Sequence, residues 1–138
     1  MKVVLDSNVL VSSFYWAGNP RKVFERVTNG LDELYITDEI LEEIFSVMSR
    51  EKFNTDISAI EKYIELIESY SVKLLPANSP QKISRDEYDD KILQCGFDAN
   101  VDFIVTGDND LLVLCQHGTI KILNPKDYLQ LQHPASTR

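Results

Sequence analysis

The sequence predicts an α/β protein, a three-layer α/β/α sandwich with a central parallel five-stranded sheet. Short apolar runs, such as residues 2–6 and 103–106, are typical of strands that are buried on both faces of a parallel sheet. Segments with helical periodicity separate these runs, and strands that alternate with helices favour right-handed parallel crossovers. Asp6 ends the first run and Asp108 closely follows the other. Because ligands bind at the carboxyl edge of such sheets, this edge is the expected site.

The predicted elements have clear boundary signals. Pro20 suits the first position of a helix, and Asn29 followed by Gly30 ends that helix. Thr37 or Asp38 is expected to cap the third helix. In chain order we predict strand 2–6, helix 8–14, a helix from 20 that ends at 29–30, strand 34–37, a helix from 38 that closes at 50–53, a helix that opens at 54–56 with its apolar stripe at 57–67, strand 72–75, helix 85–97, strand 103–106, a turn at 107–112 into a short helix, strand 120–123 and a helix from 125 to about 131.

The chain is expected to form one domain. Its 138 residues suffice for a single hydrophobic core, so we predict a domain at 1–131 and a flexible tail at 132–138. Residues 76–80 are too short for a domain linker and are interpreted as an irregular connection. No apolar run approaches the roughly 20 residues of a membrane span, and the start is too short for a signal peptide. We therefore expect a cytoplasmic protein.

The composition limits the possible partners. A formal net charge of -8 argues against a nonspecific nucleic-acid binder with a broad basic surface. It does not exclude nucleic acid as a substrate, because carboxylates that hold a divalent cation attract phosphate. Cys95 and Cys115 lie in apolar surroundings without metal-ligand spacing, and both are predicted to be small buried hydrophobic residues.

Acids from four separate segments can converge near one edge of the predicted sheet. Asp6 and Asp108 follow strands, Asp89 and Asp90 begin a helix, and Glu43 lies on the third helix. Carboxylates that share a partly dry cleft repel one another unless a cation neutralises them. With no histidine or cysteine in these motifs, the ligands favour Mg²⁺ or Mn²⁺ over zinc. One or two such ions can activate water for an in-line displacement at phosphorus.

Glu43 is the acid of the third helix that we expect to turn inward. In a projection at 100° per residue it lies at the margin of the apolar stripe, whereas Glu42 lies in the polar arc.

Each acid also has a purely structural interpretation. A single aspartate after a strand can simply cap the next helix, and acids in a first helical turn stabilise the helix dipole. These interpretations apply to Asp38, Glu39, Glu42, Asp86, Glu87, Asp89, Asp90 and Asp110. The metal-site hypothesis therefore depends on the combination of strand-end acids with inward-facing acids on the intervening helices.

Four motifs together resemble the PIN-domain nucleases, most closely the toxin-like branch found in toxin-antitoxin pairs. The sequence Val-Leu-Asp-Ser-Asn-Val-Leu-Val-Ser at 4–12 resembles the first motif of that family. Residues 37–44, 89–93 and 105–112 resemble the second, third and fourth motifs. The resemblance extends from residue 2 to about residue 131, nearly the whole chain.

The resemblance implies a Mg²⁺- or Mn²⁺-dependent site. By resemblance, Asp6 and Asp90 hold the metal, and Glu43 and Asp108 complete its shell through waters or a second ion. Asp89 stays open as the alternative to Asp90. A helical-wheel projection turns Asp89 inward, whereas the family's usual spacing back from Thr106 favours Asp90.

Other residues have supporting roles by the same resemblance. Asp110 is the alternative to Asp108. Ser7, Asn8 and Thr106 would orient the carboxylates by hydrogen bonds.

Lys91 and Arg85 are candidates for phosphate contact, with surface ion pairs as the alternative.

The function implied by the resemblance is that of an endoribonuclease for single-stranded or loop RNA, with an antitoxin protein as partner. A homodimer is expected, to which the apolar residues Phe14, Tyr15 and Trp16 would contribute unless they pack in the core. The alternative is a catalytically inactive PIN-fold module that binds a partner protein and uses its acids as caps. A flavodoxin-like domain is disfavoured, since Glu43 and Asp108 would then have no role.

Overall fold

The computed structural model describes the backbone of residues 1–75 and 87–131 and the side chains of 1–75 and 90–131. Arg85, Asp86, the predicted connection at 76–80, the predicted tail at 132–138 and the side chains of Glu87 and Asp89 lie outside this description. The described elements are β1 (Lys2–Leu5), α1 (Ser7–Tyr15), α2 (Asn19–Thr28), β2 (Glu33–Thr37), α3 (Asp38–Met48), a 3-10 helix (Glu51–Phe53), α4 (Ile57–Ser69), β3 (Ser71–Leu74), α5 (Glu87–Ala99), β4 (Phe103–Val105), α6 (Asn109–Leu112), β5 (Gln116–His117), β6 (Ile120–Leu123) and α7 (Pro125–Gln130).

The central sheet has the order β3-β2-β1-β4-β6-β5. The five predicted strands are present and parallel to one another, flanked by helices as expected for an α/β/α sandwich. The predicted number of strands was wrong, because a sixth strand, β5, pairs antiparallel with β6. This strand has two residues and reaches β6 through a tight turn in which Gly118 has a φ of 63°. So short a strand has no apolar periodicity that a sequence pattern could show.

The first strand lies near the middle of the sheet. Val3, Val4 and Leu5 are fully buried, which explains their continuous apolar sequence, because α/β sheets are covered on both faces. Strand β1 pairs with β2 on one side and with β4 on the other, where Leu5 lies opposite Val105. Helix α5 packs against β1, β2 and β4. The carboxyl ends of β1 and β4 are therefore neighbours.

Helix α3 begins after the predicted cap. The Thr37 hydroxyl accepts a hydrogen bond from the Ile40 N–H at 3.3 Å, which satisfies one of the free donors at the helix start. Of the two predicted caps, Thr37 fills the role and Asp38 is an exposed first-turn residue.

The two cysteines differ in environment. Cys95 is buried, as predicted, but Cys115 is exposed, so its predicted burial was wrong. Cys115 lies between α6 and β5 with a φ of 60°. This left-handed turn holds the residue at the surface despite its apolar sequence neighbours.

Phe14 and Tyr15 are half-buried, and the Tyr15 ring stacks on Phe53 with centroids 4.4 Å apart. Trp16 is 57% exposed. The predicted core role thus fits the first two aromatic residues better than the third.

A buried ionic network lies beyond the amino ends of the strands. The fully buried carboxylate of Asp32 accepts hydrogen bonds from Arg26 at 2.8 and 3.2 Å and from the Tyr128 hydroxyl at 2.8 Å. These partners keep the pKa of Asp32 below its usual value even though burial opposes the shift. The network ties α2 and α7 to the start of β2. Separately, no helix in the described segments is long and apolar enough to cross a membrane.

Candidate active site

Two turns lie side by side at the carboxyl edge of the sheet. The first follows β1 and begins with Asp6, whose N–H donates to the Val105 carbonyl at 2.9 Å. The second follows β4 and contains Thr106 and Asp108. The parallel pairing of β1 with β4 brings these turns together although 100 residues separate Asp6 from Thr106.

Two hydroxyl groups hold the Asp6 carboxylate at this edge. Asp6 is buried, with only 1% of its surface exposed. Thr106 Oγ1 donates to one carboxylate oxygen at 2.6 Å, and Ser7 Oγ donates to the other at 3.4 Å. Asp6 occupies the N-cap position of α1, but its side chain makes no capping hydrogen bond. The capping interpretation therefore does not account for this carboxylate.

Asp108 does act as a helix cap. Its Oδ1 accepts a hydrogen bond from the Asp110 N–H at 2.8 Å at the start of α6. Its own N–H donates to Thr106 Oγ1 at 3.0 Å. The Thr106 hydroxyl thus accepts from the Asp108 backbone and donates to Asp6, so one side chain fixes both turns.

The charge on Asp6 is destabilised where it lies. Burial raises the pKa of Asp6, and the negative charge of Asp108 raises it further, while hydrogen bonds from Thr106 and Ser7 oppose the rise. A nearby cation would offset both unfavourable effects. The site therefore has a physical reason to bind one.

Asp90 and Glu43 come from two helices that pack together, α5 and α3. Asp90 is buried, with 3% of its surface exposed, in the first turn of α5. Glu43 is half-buried and Glu42 is exposed, which agrees with the direction that the helical projection indicates. The side chain of Asp89 lies outside the described residues.

Metal ligands can be tested on the donor atoms present. Among the side chains of 1–75 and 90–131, no three acidic, histidine or cysteine groups are arranged to hold a metal ion. Asp6 and Asp108 are the two acids that Thr106 connects, Asp6 through its carboxylate and Asp108 through its backbone N–H. Mg²⁺ is commonly bound through one or two carboxylates, several waters and substrate phosphate. The pair fits this mode, and it does not fit a cage built of protein ligands alone.

The expected supporting residues are divided between two places. Ser7 and Thr106 contact Asp6. The side chain of Asn8 is exposed, and its amide makes no hydrogen bond within the described chain. Lys91 lines a different cleft, together with Thr37 and Cys95.

A cavity that sequence reasoning missed lies beside the two turns. Its volume is about 300 Å³, and it is lined by Asn8, Val9, Ser12, Asn19, Pro20, Gly107, Asn124, Pro125 and Lys126. A sequence signal existed, since Asn19-Pro20 and Asn124-Pro125 are both helix starts of the kind that proline favours. Only the fold brings these starts together.

Comparison with known proteins gives a family. A search of curated proteins found no significant match. A family model described as a PIN domain matches residues 2–110, more than half of the 138-residue chain, and the match includes both turns of the site. PIN domains are generally nucleases, which makes nucleic acid the substrate class. The chain therefore belongs to the PIN domain family.

Proposed function

We propose that this PIN-domain protein is a Mg²⁺- or Mn²⁺-dependent endoribonuclease that cleaves single-stranded or loop RNA. The observation that supports this most is the buried carboxylate of Asp6, which two hydroxyl groups position and which caps no helix. The two hydroxyl groups are neutral, so burial and the charge of Asp108 still disfavour the ionised carboxylate, and a divalent ion would compensate for this cost. Neither the metal nor the RNA preference follows from the family alone.

In this proposal Asp6 and Asp90 hold the metal, and Glu43 and Asp108 complete the site through water. A bound Mg²⁺ or Mn²⁺ would supply an activated water and neutralise charge on the phosphate. Thr106 and Ser7 hold the Asp6 carboxylate in place. Because Thr106 donates to Asp6 Oδ2, the carboxylate keeps a fixed orientation.

The direct test replaces Asp6 with asparagine. Asp6→Asn retains an oxygen that can accept from Thr106, so we expect a folded protein whose Mn²⁺-dependent cleavage of single-stranded RNA falls at least about 100-fold. Asp56→Asn is the matched control, since Asp56 also occupies an N-cap position without a side-chain cap bond but is exposed. Equal activity of Asp6→Asn and the wild type would refute the assignment. A DNA strand of the same sequence tests the preference for RNA.

The second candidate is a catalytically inactive module that binds a partner protein. It is favoured by the absence of a three-ligand cluster among the described side chains and by the capping role of Asp108. Mn²⁺ should raise the melting temperature of a metal-binding nuclease, and the rise should disappear in Asp6→Asn. No stabilisation by Mn²⁺ together with no cleavage of RNA or DNA would establish the inactive module instead.

We also propose that the protein is the toxin of a toxin-antitoxin pair and acts in the cytoplasm. In this proposal it forms a homodimer. The partly exposed aromatic cluster of Tyr15, Trp16 and Phe53 supports a protein contact. Induced expression should stop growth in a manner that Asp6→Asn abolishes. Light scattering gives the mass of the wild type and of Trp16→Ala in solution and so tests whether this cluster holds a dimer. Unimpaired growth with the wild type would refute the toxin role.

A further inference from the structure

The cavity beside the two turns is placed for a part of the substrate other than the cleaved phosphate. Asn8 lies two positions after Asp6, and Gly107 lies between Thr106 and Asp108. The wall of the cavity therefore includes residues that adjoin the proposed catalytic acids Asp6 and Asp108. At about 300 Å³ it is at the lower limit of small-ligand pockets, which occupy roughly 300–1,000 Å³. That volume suits one nucleotide unit rather than a length of strand.

The lining has the chemistry of a nucleobase site. Pro20, Pro125 and Val9 provide apolar surfaces, and flipped bases are held between apolar or aromatic side chains. Asn8 and Asn19 are exposed, and within the described chain their amides make no hydrogen bond to protein. An asparagine amide offers both a donor and an acceptor to the edge of a base.

Gly107 contributes to the lining of the cavity without a side chain. A Cβ built on Gly107 meets nothing within 4 Å, and the φ of this residue lies outside the left-handed region. The backbone therefore does not require glycine at this position. A larger side chain can be introduced at this part of the lining without a clash at its Cβ.

Lys126 adds one exposed positive charge to the lining. In a protein of formal net charge -8, a cation at this position favours the phosphate of a neighbouring nucleotide. The cavity thus combines apolar surfaces, exposed amides and a cation, and it lies next to the turns of Asp6 and Asp108.

We propose that this cavity binds one base of the single-stranded RNA next to the cleaved phosphate, between Pro20 and Pro125, with the Asn8 and Asn19 amides on its edge. The base preference of cleavage is set there. This inference rests on the proposed nuclease function, and it adds the residues that select the cleavage position.

The experiment uses Gly107→Leu, which adds a bulky side chain to the cavity lining, and Asn19→Ala, which removes one amide. The matched control is Asn29→Ala, an exposed asparagine that follows the other end of the same helix, α2. Cleavage of a randomised single-stranded RNA with Mn²⁺ is followed by sequencing of the ends. We expect both variants to raise KM at least about fivefold and to flatten the base preference, because Gly107→Leu crowds the base and Asn19→Ala removes one hydrogen bond to the edge of the base.

A second measurement does not depend on activity. The four nucleoside 5′-monophosphates are titrated into the ¹⁵N-labelled Asp6→Asn protein, and the amide signals of Asn8, Asn19 and Gly107 are followed. Selective shifts that Gly107→Leu abolishes support the base site. If the wild type cleaves RNA but the cavity variants keep its KM and base preference, the base site is refuted and the nuclease proposal stands. If the wild type cleaves nothing, the nuclease proposal fails and this inference fails with it.

Discussion

At the scale of single residues, Thr106 connects the two turns of the candidate site. Its hydroxyl donates to Asp6 and accepts from the Asp108 N–H, and the residue is fully buried. A neutral hydroxyl that makes both bonds aligns the Asp6 carboxylate without an ion pair. Thr106 is therefore a positioning residue rather than a ligand.

We predict that Thr106→Val lowers the free energy of unfolding by about 1–3 kcal/mol, because it leaves the buried Asp6 carboxylate without its closest donor. Mn²⁺-dependent cleavage should fall as well. Thr106→Ser keeps the hydroxyl and should recover most of the cleavage rate, which separates positioning from simple packing. Urea unfolding and initial rates measure the two effects. Equal rates for the valine and serine variants would contradict the positioning role.

A second residue-scale prediction concerns the cost of the Asp6 charge. Since the folded-state pKa of Asp6 is raised above 3.8, folding becomes less favourable as pH rises through that pKa. Asp6→Asn removes this cost, so in EDTA at pH 7 its melting temperature should exceed that of the wild type. The difference should shrink as pH falls through the raised folded-state pKa, should be lost below about pH 4, and should reverse with saturating Mn²⁺. An asparagine variant that melts lower in EDTA at pH 7 would show that burial does not disfavour the charge.

At the scale of elements, helix α5 approaches the sheet closely at one glycine. A Cβ on Gly96 would lie 2.9 Å from Ile104 Cδ1 on β4, and Ile104 is fully buried. This close approach sets the distance between α5 and β4 at this point. The absence of a side chain at Gly96 therefore lets the helix pack directly on Ile104.

We predict that Gly96→Ala destabilises the protein by about 1–2 kcal/mol, because overpacking outweighs the roughly 1 kcal/mol of helix propensity that alanine adds. Ile104→Val removes the atom that clashes. In that background Gly96→Ala should cost less, with a coupling energy of about 1 kcal/mol in a double-mutant cycle measured by urea unfolding. Strict additivity of the two substitutions would disprove the contact.

At the scale of the whole molecule, the acids at the two ends of the sheet have opposite roles. At the carboxyl end, burial and Asp108 raise the pKa of Asp6. At the amino end, hydrogen bonds from Arg26 and Tyr128 lower the pKa of Asp32 against the effect of burial. The carboxyl end thus contains an acid whose charge is disfavoured, whereas the amino end contains an acid whose charge is stabilised by its partners.

We predict that Asp32→Asn costs roughly 3 kcal/mol at neutral pH, because it leaves Arg26 and Tyr128 without their charged partner. The pKa of Asp32 is lowered from 3.8, so its contribution is fully present above that pH and is lost as pH falls through the folded-state value. The stability gap between wild type and variant should be constant from pH 5 to 8 and should narrow below about pH 4. Asp127→Asn, exposed on α7, is the control. A gap that stays constant down to pH 2 would contradict the network.

Local patterns in the sequence were sufficient for the five parallel strands, most helix starts and the position of Asp6 at a strand end. Each of these features depends on a few neighbouring residues, because an apolar run predicts a buried strand and a capping residue predicts a helix start. The two-residue strand β5 and the exposed Cys115 were missed, because a tight turn rather than a periodic pattern places them.

The tertiary structure alone decided which partners the acids have. Thr106 reaches Asp6 across 100 residues, and Tyr128 reaches Asp32 across 96. The cavity beside the site combines the starts of α2 and α7 with the turns after β1 and β4. Such contacts arise from strand order and helix packing, which no local pattern encodes. By itself the sequence therefore determined which residues stand at the edge of the sheet, and the packing decided which of them act together.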